Sequence, residues 1–390
     1  MNGGVTILTL HSSDDARVFS RQARALAAIA PVVRLVAARG PTGMRDGVEV
    51  VTIRPSRSRA ETFLVAPIRL LHEFLRRPTR FVYLHDAPLL FLAPVLAGLG
   101  FEVVYDVHED YGNMLRHRDW IPATLRGPAG FAAGWYERVC ARSAAAIAAA
   151  TAPLLEKFPH REKVALYNLP TRDFVQAGAR QTQKPSQRDC DVVHLGSLSD
   201  ARLAFLTEML QALAAMRPGV RTLVVGLLPH QVRRLRDRFP SSDLTIVERA
   251  PYAEVPALLG RCKVGLDVHP WLLPHLALAV PVKVFEYLAC GCAVVTSHLP
   301  ELERLLEPSD LALIQVVRSD DPARYAEAVA SCLADPDRLD AVSDALRERV
   351  AQRYTWDREQ AKLLGLFERL GARPETRRAR WIQSLLGGRA

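Results

Sequence analysis

The chain has 390 residues, of which 49% are hydrophobic and 24% are charged, and this composition excludes the disordered and fibrous classes. Its length favours two domains, because a single hydrophobic core rarely grows beyond about 250–300 residues. The formal net charge of +9 favours an anionic partner, with nucleic acid, nucleotide phosphates and acidic lipid headgroups as candidates.

Strands and helices alternate along the first half of the chain. Apolar, β-branched runs predict strands, and apolar residues spaced three to four apart predict helices. The predicted strands are Val5–Leu10, Val32–Ala37, Val48–Ile53, Phe81–Leu84, Glu102–Val107, Ala146–Thr151 and Val164–Tyr167. The predicted helices are Ala16–Ile29, Glu61–Arg77, Pro88–Leu99, Ala123–Ala145 and Pro153–Phe158.

The second half repeats this alternation after residues 175–188, a polar segment without periodicity that we interpret as a linker. Two successive runs of strand–helix units predict an α/β protein with two doubly wound domains, each on a mostly parallel sheet. The domains are predicted at 1–174 and 189–352, with a closing helix and a basic tail at 353–390. The later predicted strands are Asp191–Leu195, Thr222–Leu227, Leu244–Val247, Val264–Val268, Ala293–Thr296 and Leu311–Val316, with helices after about residue 320.

Polar side chains follow several of the predicted strands. Doubly wound sheets bind their ligands at the carboxyl ends of the strands, so these side chains are candidates for a binding site. Asp106 and Asp110 are also interpreted as structural loop acids, and each histidine has the alternative of being an ordinary loop residue. The positions are His11, His85–Asp86, Asp106, His108–Asp110, His269 and Ser297–His298.

The segment PVKVFEYLACGCAVVTSHLP, residues 281–300, predicts a short helix, a buried strand and the start of a second helix. Pro281 suits the first helical position, and Gly291 suits a helix end that needs positive φ. Lys283 and Glu286 are three residues apart and therefore on one helix face. A charged pair in a short helix between buried strands indicates a polar ligand; the alternative is a surface ion pair.

The chain lacks the P-loop, the GxGxxG fingerprint after its first strand, the GxSxG elbow and the HExxH zinc motif. Its six cysteines include one close pair, Cys290 and Cys292, and no CxxC, so no zinc site is expected. Scattered cysteines suit a reducing compartment. No signal-peptide pattern precedes Val5, and the apolar run 87–101 is short and broken by prolines. These features predict a cytoplasmic protein.

The order of these features resembles that of GT-B-fold glycosyltransferases, and most of all their large family-4 group of nucleotide-sugar-dependent enzymes. The resemblance covers nearly the whole chain and implies two Rossmann-like domains facing a central cleft, with a helical C-terminal segment. The similar stretches are DDARVFSRQARALA (14–27), VVYDVHEDY (103–111), AIAAATAPLLEKF (146–158), VALYNLP (164–170), VVHLGSLSDAR (192–202), PVKVFEYLACG (281–291) and YTWDREQAKLLGLFERL (354–370).

The resemblance also implies a donor site. The glutamate that matches Glu286 binds the ribose hydroxyls of the donor, and an ionised carboxylate is chemically suited to accept both hydroxyl protons. The helix start at Val282 and Lys283 would offer N–H groups to the diphosphate, and the ammonium group would stabilise charge on the leaving phosphate. Arg202 matches a basic residue that contacts the diphosphate, although a solvated position is its alternative. Donor contacts are also expected at Gly196 and Ser197.

On the acceptor side, the resemblance implies that His108 lies near the donor sugar, with His11, Asp15 and Glu109 facing the acceptor. Asp15 has the alternative of only capping the following helix. Leu278 stands where many family-4 enzymes have a further glutamate that helps to hold the donor sugar. With leucine in place of this glutamate, the sequence leaves open whether the anomeric configuration of the sugar is retained or inverted. An inverting enzyme would need a general base, for which Asp15, His108 and Glu109 are the catalytic candidates.

The expected function is hexosyltransferase-like: transfer of a sugar from a nucleoside-diphosphate sugar to an acceptor hydroxyl, in bacterial cell-surface polysaccharide or glycolipid assembly. No metal and no cofactor besides the donor are expected. The acceptor is a saccharide, a lipid-linked sugar or a small molecule. Nucleic acid is not expected, because the basic residues are spread along the chain. The alternatives are a nucleotide-sugar epimerase on the same fold and a non-catalytic nucleotide-sugar-binding protein.

The tail at 373–390 has five arginines against one glutamate, together with Trp381, Ile382, Leu385 and Leu386. Basic segments with interleaved apolar residues bind anionic lipid. The tail therefore predicts peripheral contact with the inner face of the membrane, with a domain-crossing or disordered tail as the alternative.

Overall fold

The computed structural model describes residues 3–58, 60–118, 120–239, 242–269, 274–376, 379, 381–382 and 384–385. The chain divides into two compact units. Unit 1 comprises Met1–Tyr167 and Asp357–Ala390, and unit 2 comprises Asn168–Trp356. Each unit has helices packed on a largely parallel sheet, which confirms the predicted α/β class with two doubly wound domains.

Unit 1 is built on an eight-stranded sheet. Its strands are β1 (Val5–Ser12), β2 (Val33–Arg39), β3 (Gly43–Arg45), β4 (Val48–Thr52), β5 (Phe81–His85), β6 (Glu102–Val107), β7 (Ala146–Ala149) and β8 (Lys163–Ala165). Its helices before the crossing into unit 2 are α1 (Arg24–Ala27), α2 (Ala66–Arg76), α3 (Leu92–Gly98), α4 (Tyr111–Leu115), α5 (Ala123–Ala141) and α6 (Ala152–Glu156). Two π-helical segments, Ala16–Ala23 and Glu61–Val65, lead into α1 and α2, and Ala87–Leu89 is a 3₁₀ turn.

The sheet of unit 1 has the order β3-β4-β2-β1-β5-β6-β7-β8, and all pairs except β3–β4 are parallel. Its central strands are buried along their length, as expected where helices cover both faces. The strand order reverses between β1 and β5. This switch point brings the carboxyl ends of two strands next to an open crevice, where doubly wound sheets bind their ligands.

Unit 2 is built on a six-stranded sheet of order β11-β10-β9-β12-β13-β14. Its strands are β9 (Cys190–Leu195), β10 (Thr222–Val225), β11 (Leu244–Val247), β12 (Cys262–Asp267), β13 (Ala293–Ser297) and β14 (Gln315–Val317). Its helices are α7 (Arg172–Ala179), α8 (Asp200–Met216), α9 (Pro229–Arg236), α10 (Val255–Leu259), α11 (Val282–Ala289), α12 (Pro300–Leu305), α13 (Pro308–Leu311), α14 (Pro322–Ala334) and α15 (Pro336–Arg353), with 3₁₀ turns at Pro185–Gln187 and Tyr252–Glu254. Every strand pair is parallel, and the switch point lies between β9 and β12.

The predicted linker at 175–188 differs from the structure. Residues 175–179 belong to α7, which Thr171 caps by accepting from the Phe174 N–H at 3.3 Å. Phe174 and Val175 are buried, so the helix has an apolar face that the polar surroundings conceal. A Cβ added at Gly178 would lie 2.5 Å from the Ala289 carbonyl oxygen, so α7 packs closely in unit 2. The chain therefore enters unit 2 after Tyr167 rather than after residue 174.

Three further elements differ from the predicted ones. The strand β3 was not predicted, and it joins β4 through a tight turn in which Asp46 has φ 47° and Gly47 has φ 76°. An Asp-Gly pair with positive φ at both residues is typical of a type I′ hairpin turn. The predicted strand 311–316 begins instead in α13, and β14 covers only Gln315–Val317. The helix α4 was also not predicted.

The last long helix, α16 (Trp356–Gly371), crosses from unit 2 and packs within unit 1. The ring of Phe367 lies 5.8 Å from that of Phe81 and 5.5 Å from that of Tyr83, both on β5. The helical C-terminus is therefore part of the core of unit 1 rather than a separate closing segment. Among the helices of the described residues, none is long and apolar enough to cross a membrane.

Candidate functional site

Unit 2 places a charged cluster at its switch point. Gly196 follows β9 with φ 93°, a conformation that favours glycine, and it is exposed. A Cβ at this position would lie 3.8 Å from the Lys283 ammonium nitrogen, so the turn after β9 faces the start of α11. Ser197 is exposed beside it. The two predicted donor-site segments therefore come together at the carboxyl edge of one sheet.

The centre of this cluster is Asp267, the last residue of β12, which the sequence analysis did not select. Its Oδ1 atom lies 3.3 Å from Lys283 Nζ and 3.3 Å from His269 Nε2. These contacts lack hydrogen-bond geometry, so Oδ1 is a buried oxygen held by charge attraction. Oδ2 accepts from Thr296 Oγ1 at 3.3 Å. Lys283 therefore forms an ion pair with Asp267 on β12, which the sequence analysis did not predict.

Arg202 completes the cationic side of the cluster. Its Nε donates to the Val268 carbonyl oxygen at 2.7 Å, and its Nη2 lies 3.4 Å from His269 Nε2. This residue sits in the first turn of α8, where Ser199 Oγ accepts from the Arg202 backbone N–H at 3.3 Å. The side chain is anchored at the end of β12, so the solvated alternative is wrong.

Burial and charge together set the protonation states. Burial lowers the pKa of Lys283, but the Asp267 carboxylate acts in the opposite direction. Burial would raise the pKa of Asp267, yet His269, Lys283 and Arg202 hold it well below its usual range. Burial, together with the charges of Lys283 and Arg202, also lowers the pKa of His194 on β9. A carboxylate and a neutral histidine therefore line the strand ends.

His194 is a second residue that the sequence analysis missed. Its Nδ1 lies 3.1 Å from the Leu266 carbonyl oxygen, and its Nε2 is buried with no hydrogen-bond partner among the described residues. A histidine near the end of an otherwise apolar strand was the available signal, as was the aspartate that ends β12. Both residues lie inside the predicted strands, and the analysis considered mainly residues that follow strands.

Helix α11 starts at Val282, with Pro281 at the capping position rather than at the first helical position. Glu286 is 6% exposed, so the alternative of a surface ion pair is wrong. Gly291 has φ 70° and ends the helix as predicted. The helix therefore presents its N-terminus and two ionisable side chains in unit 2, close to the strand ends.

The position of α11 depends on a contact between Gly265 and Tyr287. A Cβ at Gly265 on β12 would lie 2.2 Å from Tyr287 Cγ. The Tyr287 hydroxyl accepts from the Leu195 N–H at 2.8 Å and donates to the Leu266 carbonyl oxygen at 3.2 Å. The absence of a side chain at residue 265 thus lets the ring connect α11 to both strands at the switch point.

Replacing Gly265 by Ala is expected to lower the free energy of unfolding by about 1–3 kcal/mol, because the methyl group would overlap the Tyr287 ring. Gly98→Ala is the matched control, because a Cβ at that position meets nothing within 4 Å. This substitution should stabilise α3 slightly, since alanine favours a helix more than glycine does. Urea denaturation of both variants measures the difference. Equal midpoints for the two variants would contradict the proposed overlap.

Unit 1 places a second cluster at its own switch point. His11 Nε2 lies 2.8 Å from Asp86 Oδ1, and the other carboxylate oxygen accepts from the Leu10 N–H at 2.8 Å and from Thr9 Oγ1 at 3.1 Å. Asp86 has φ 95°, a strained conformation for a residue with a side chain. Strain of this kind is concentrated at functional sites. The side chain of His11 is 43% exposed, so the pair is accessible to a ligand.

Asp106, buried at the end of β6, organises the deeper part of this cluster. It receives two hydrogen bonds from Arg17, at 2.6 and 3.0 Å, and one from Gln22 at 2.7 Å. His108 Nε2 lies 3.1 Å from Asp106 Oδ2 and 3.2 Å from His85 Nδ1. Asp106 has the predicted structural role, but it lies in β6 rather than in a loop, and its carboxylate also contacts His108.

The other two residues predicted on the acceptor side, Asp15 and Glu109, differ in their distance from this cluster. Asp15 caps the π-helical segment, because its Oδ1 accepts from the N–H groups of Arg17 and Val18 at 2.9 and 3.1 Å. Its Oδ2 is 4.0 Å from His11 Nδ1, so it also borders the cluster. Glu109 is exposed, and its backbone carbonyl accepts from the Tyr111 N–H. The structure therefore brings His11, Asp15 and His108 together and gives no such contact for Glu109.

The hydrogen bond with Asp86 raises the pKa of His11 to about 9, so this imidazole is charged at neutral pH. Burial lowers the pKa of His85 to about 3, so that imidazole is neutral. Burial would raise the pKa of Asp106, but Arg17, His108 and His85 hold it well below its usual range. The cluster thus contains a charged outer histidine and a permanent inner carboxylate.

Among the residues that the structure describes, two groups of three have ligand atoms within 4.8 Å of one another and could hold a metal ion. In the group of His85, Asp106 and His108, the carboxylate already accepts from the guanidinium of Arg17. In the group of His11, Asp86 and His108, a cation would have to displace the proton that His11 shares with Asp86. Both groups therefore favour proton and anion chemistry over metal binding.

Comparison with known proteins agrees with this architecture. Residues 202–365 match the family described as "Glycosyl transferase-like". A search of curated protein sequences finds no match. The sucrose-phosphate synthase of Thermosynechococcus elongatus has a TM-score of 0.70 at 16% identity, covering 95% of this chain and 99% of that chain.

Two further solved structures are similar over their whole length. Anabaena Alr3699/HepE, in complex with UDP and glucose, has a TM-score of 0.66 at 14% identity, with coverage of 93% and 99%. WaaG, a glycosyltransferase involved in lipopolysaccharide biosynthesis, has a TM-score of 0.67 at 15% identity, with the same coverage. With its two doubly wound units the chain has the GT-B fold of these structures, and the segment that is similar to the glycosyl transferase-like family contains Arg202, Asp267, Lys283 and Glu286.

Proposed function

We propose that the enzyme transfers a hexosyl group from a nucleoside-diphosphate sugar to an acceptor hydroxyl. The observation that carries this proposal is the cluster of Lys283, Arg202 and Asp267 around the turn at Gly196. Two cations beside an exposed glycine turn and a helix start suit a diphosphate. Alr3699/HepE, which has a similar fold, was solved in complex with UDP and glucose, and this supports a uridine-type donor.

Each donor-side residue has a proposed role. Val282 and Lys283 at the start of α11 bind the diphosphate, and the Lys283 ammonium neutralises charge on the leaving phosphate. Glu286 accepts hydrogen bonds from the ribose hydroxyls. Asp267 holds Lys283 and His269 in place, so we assign it a positioning role. The turn at Gly196 and Ser197 lets the backbone approach the phosphates.

The acceptor side is assigned to unit 1. His108 is the proposed group at the acceptor hydroxyl, because a histidine oriented by a carboxylate has the arrangement of a general base. His11 carries a proton at neutral pH, so it would serve as a hydrogen-bond donor to the acceptor rather than as a base. Asp15 supports His11 from the capping position. For Glu109 we propose only a position at the surface near the acceptor and no catalytic role.

The biological role that fits best is assembly of a bacterial cell-surface polysaccharide or glycolipid. WaaG, which has a similar fold, is described as involved in lipopolysaccharide biosynthesis, and this supports a role of the same kind. A lipid-linked acceptor would also suit a protein at the inner face of the membrane. In the tail, Trp381 and Leu385 are exposed while Ile382 is buried, and Leu386 lies outside the described residues.

Replacing Glu286 by Gln is expected to weaken binding of the preferred nucleoside diphosphate by about 10- to 100-fold. A hydrogen bond to a charged group contributes about 1.5–3 kcal/mol, which corresponds to that factor. Calorimetric titration with UDP, GDP and dTDP first identifies the ligand and then measures the loss. Unchanged affinity in Glu286→Gln would remove this residue from the donor site.

Asp310→Asn is the matched control, because Asp310 is a buried carboxylate of unit 2 that binds the Tyr354 hydroxyl at 2.7 Å. This variant should lose stability but keep its affinity for the nucleotide.

Activity assays with a nucleotide sugar then distinguish the transferase from the two alternative functions. An epimerase would convert a nucleotide sugar without any acceptor, and a non-catalytic binding protein would bind the donor but transfer nothing to any acceptor.

A further inference from the structure

Helix α5 of unit 1 exposes a line of large apolar side chains. Leu125, Phe131, Trp135 and Val139 all face solvent, and the last three are spaced four residues apart on one side of the helix. Phe131 is 65% exposed and Trp135 is 57% exposed. We call these four residues the α5 stripe. Isolated exposed apolar residues are common, whereas a contiguous set of this size marks an interaction surface.

The inward side of α5 is small and polar, the reverse of a helix that packs into a core. A Cβ at Gly130 would lie 2.5 Å from the Gly112 carbonyl oxygen on α4, so the two helices meet backbone to backbone. Glu137, also inward, accepts from the Tyr105 hydroxyl at 2.7 Å. Of the bulky side chains of α5, Tyr136 donates to the Ala87 carbonyl oxygen at 3.3 Å, whereas the four residues of the α5 stripe face solvent. A helix with its apolar residues outside gains stability only when something covers them.

Arginines surround the α5 stripe. Between residues 116 and 142 the sequence has five arginines against two acidic residues, and one of these acids is the inward Glu137. Arg138 and Arg142 are exposed at the C-terminal end of the helix, and Arg116 and Arg118 are exposed just after α4. Aromatic side chains bordered by exposed arginines match the polar–apolar boundary of an anionic bilayer.

We propose that the α5 stripe binds an anionic membrane surface, with α5 lying in the plane of the headgroups. Phe131 and Trp135 would enter the boundary between headgroups and acyl chains, and the arginines would contact lipid phosphates. The charged residues Arg126 and Glu137 lie within the length of α5, which fits a helix that lies on a bilayer rather than one that crosses it. The excess of arginines over acids on this side complements the negative phosphates of an anionic lipid surface, so charge favours the lipid.

The location of the α5 stripe also indicates the kind of acceptor, and this inference rests on the proposed function. The connection from β6 to β7 begins with His108 and contains both α4 and α5. Asp110 caps α4 by accepting from the Asn113 N–H at 3.1 Å, two residues after His108. The proposed acceptor residue and the proposed lipid-binding helix therefore belong to one connection. This arrangement suits an acceptor hydroxyl carried by a lipid.

Vesicle co-sedimentation of the full-length protein tests the membrane proposal independently of activity. The protein is expected to bind phosphatidylcholine vesicles that contain phosphatidylglycerol and to bind pure phosphatidylcholine much more weakly. Phe131→Ala/Trp135→Ala should lower the partition coefficient about tenfold or more, because the buried apolar area is lost. Arg138→Gln/Arg142→Gln should weaken binding only to the anionic vesicles, and added salt should weaken wild-type binding.

Met44→Ala/Met216→Ala is the matched control, since these apolar side chains on β3 and α8 are 73% and 46% exposed. It should pellet with vesicles as the wild type does. An unchanged partition coefficient for the α5 variant, or an equal fall for this control, would overturn the proposal. A concentration-dependent dimer that the α5 variant abolishes would also overturn it, by showing that a second copy covers the stripe. Donor binding measured without vesicles separately reports whether the proposed function itself fails.

Discussion

Replacing Lys283 by Met is expected to slow sugar transfer by about 100- to 1000-fold, the range measured when one charge-stabilising group is removed from an active site. Methionine keeps much of the side-chain volume and removes only the ammonium group. Negative charge grows on the leaving diphosphate as its bond to the sugar breaks, so the ammonium acts mainly in the transition state. The decrease should therefore appear in kcat more than in the KM for the donor.

The local balance of charge explains why this lysine matters more than its neighbours. Lys283 and Arg202 face the carboxylates of Asp267 and Glu286, so the described charges of the cluster cancel before a ligand binds. Without Lys283, one cation would remain against two carboxylates. The additional negative charge that develops on the leaving diphosphate in the transition state would then meet a net negative site. Arg202 could not replace the lost charge, because its Nε is held by the Val268 carbonyl oxygen.

Lys263→Met is the matched control for this experiment. Lys263 lies on β12 and forms an ion pair with Asp191 at 2.7 Å, and its side chain is 19% exposed, close to the 16% of Lys283. It sits at the amino end of the strand, however, on the edge of the sheet away from the proposed donor site. Its variant should retain the wild-type rate of transfer. The assignment of Lys283 fails if both variants have the same kcat.

The sequence predicted the donor helix well because its signals are local. Pro281, Gly291 and the apolar run after them define a helix and a strand without reference to distant residues, and the structure moves the helix start by only one position. The partner of Lys283 could not be predicted in this way. Asp267 is sixteen positions earlier on another strand, and only the parallel pairing of β9, β12 and β13 brings the strand ends together.

Prediction of the acceptor side, which lies in unit 1, has the same limit. His11, Asp86 and His108 were visible as polar residues after strands, and the sheet order places their strands side by side. The hydrogen bonds of Arg17 to Asp106 join residues 89 positions apart. Arg17 looked like an ordinary residue of an amphipathic helix, because its π-helical segment and the direction of its side chain are set by packing. The helix α7 was missed within the predicted linker for a similar reason, since Phe174 and Val175 are its only large buried apolar side chains.

Replacing Asp106 by Asn is expected to lower the free energy of unfolding by about 3–5 kcal/mol, because it leaves the Arg17 guanidinium buried without its counterion. The asparagine has nearly the same size, so packing is preserved. Asp14→Asn is the control: Asp14 pairs with Arg45 at 2.8 Å, but both side chains are exposed by about a third. An exposed pair of this kind contributes about 1 kcal/mol or less. Urea denaturation of both variants measures the contrast.

The pH dependence of the Asp106 variant follows from the direction of the pKa shift. The folded pKa of Asp106 lies well below its unfolded value of about 3.9, so the charge contributes its full stability above that value. This contribution is lost as the pH falls through the folded pKa. The difference between wild type and Asp106→Asn should therefore stay constant from neutral pH to about 5 and narrow only in stronger acid. A difference that narrowed near pH 7 would point to a histidine instead.

A double variant separates the stabilising role of this pair from its role in positioning. Arg17→Met/Asp106→Asn removes both charges, so it should recover much of the stability that the single variant loses. It does not restore the carboxylate that orients His108 at 3.1 Å. If the pair serves the acceptor site, the double variant will fold and bind the donor normally but transfer sugar slowly and with an altered pH profile. Normal transfer by a stable double variant would reduce Asp106 to a structural residue and remove the support for His108 as the acceptor base.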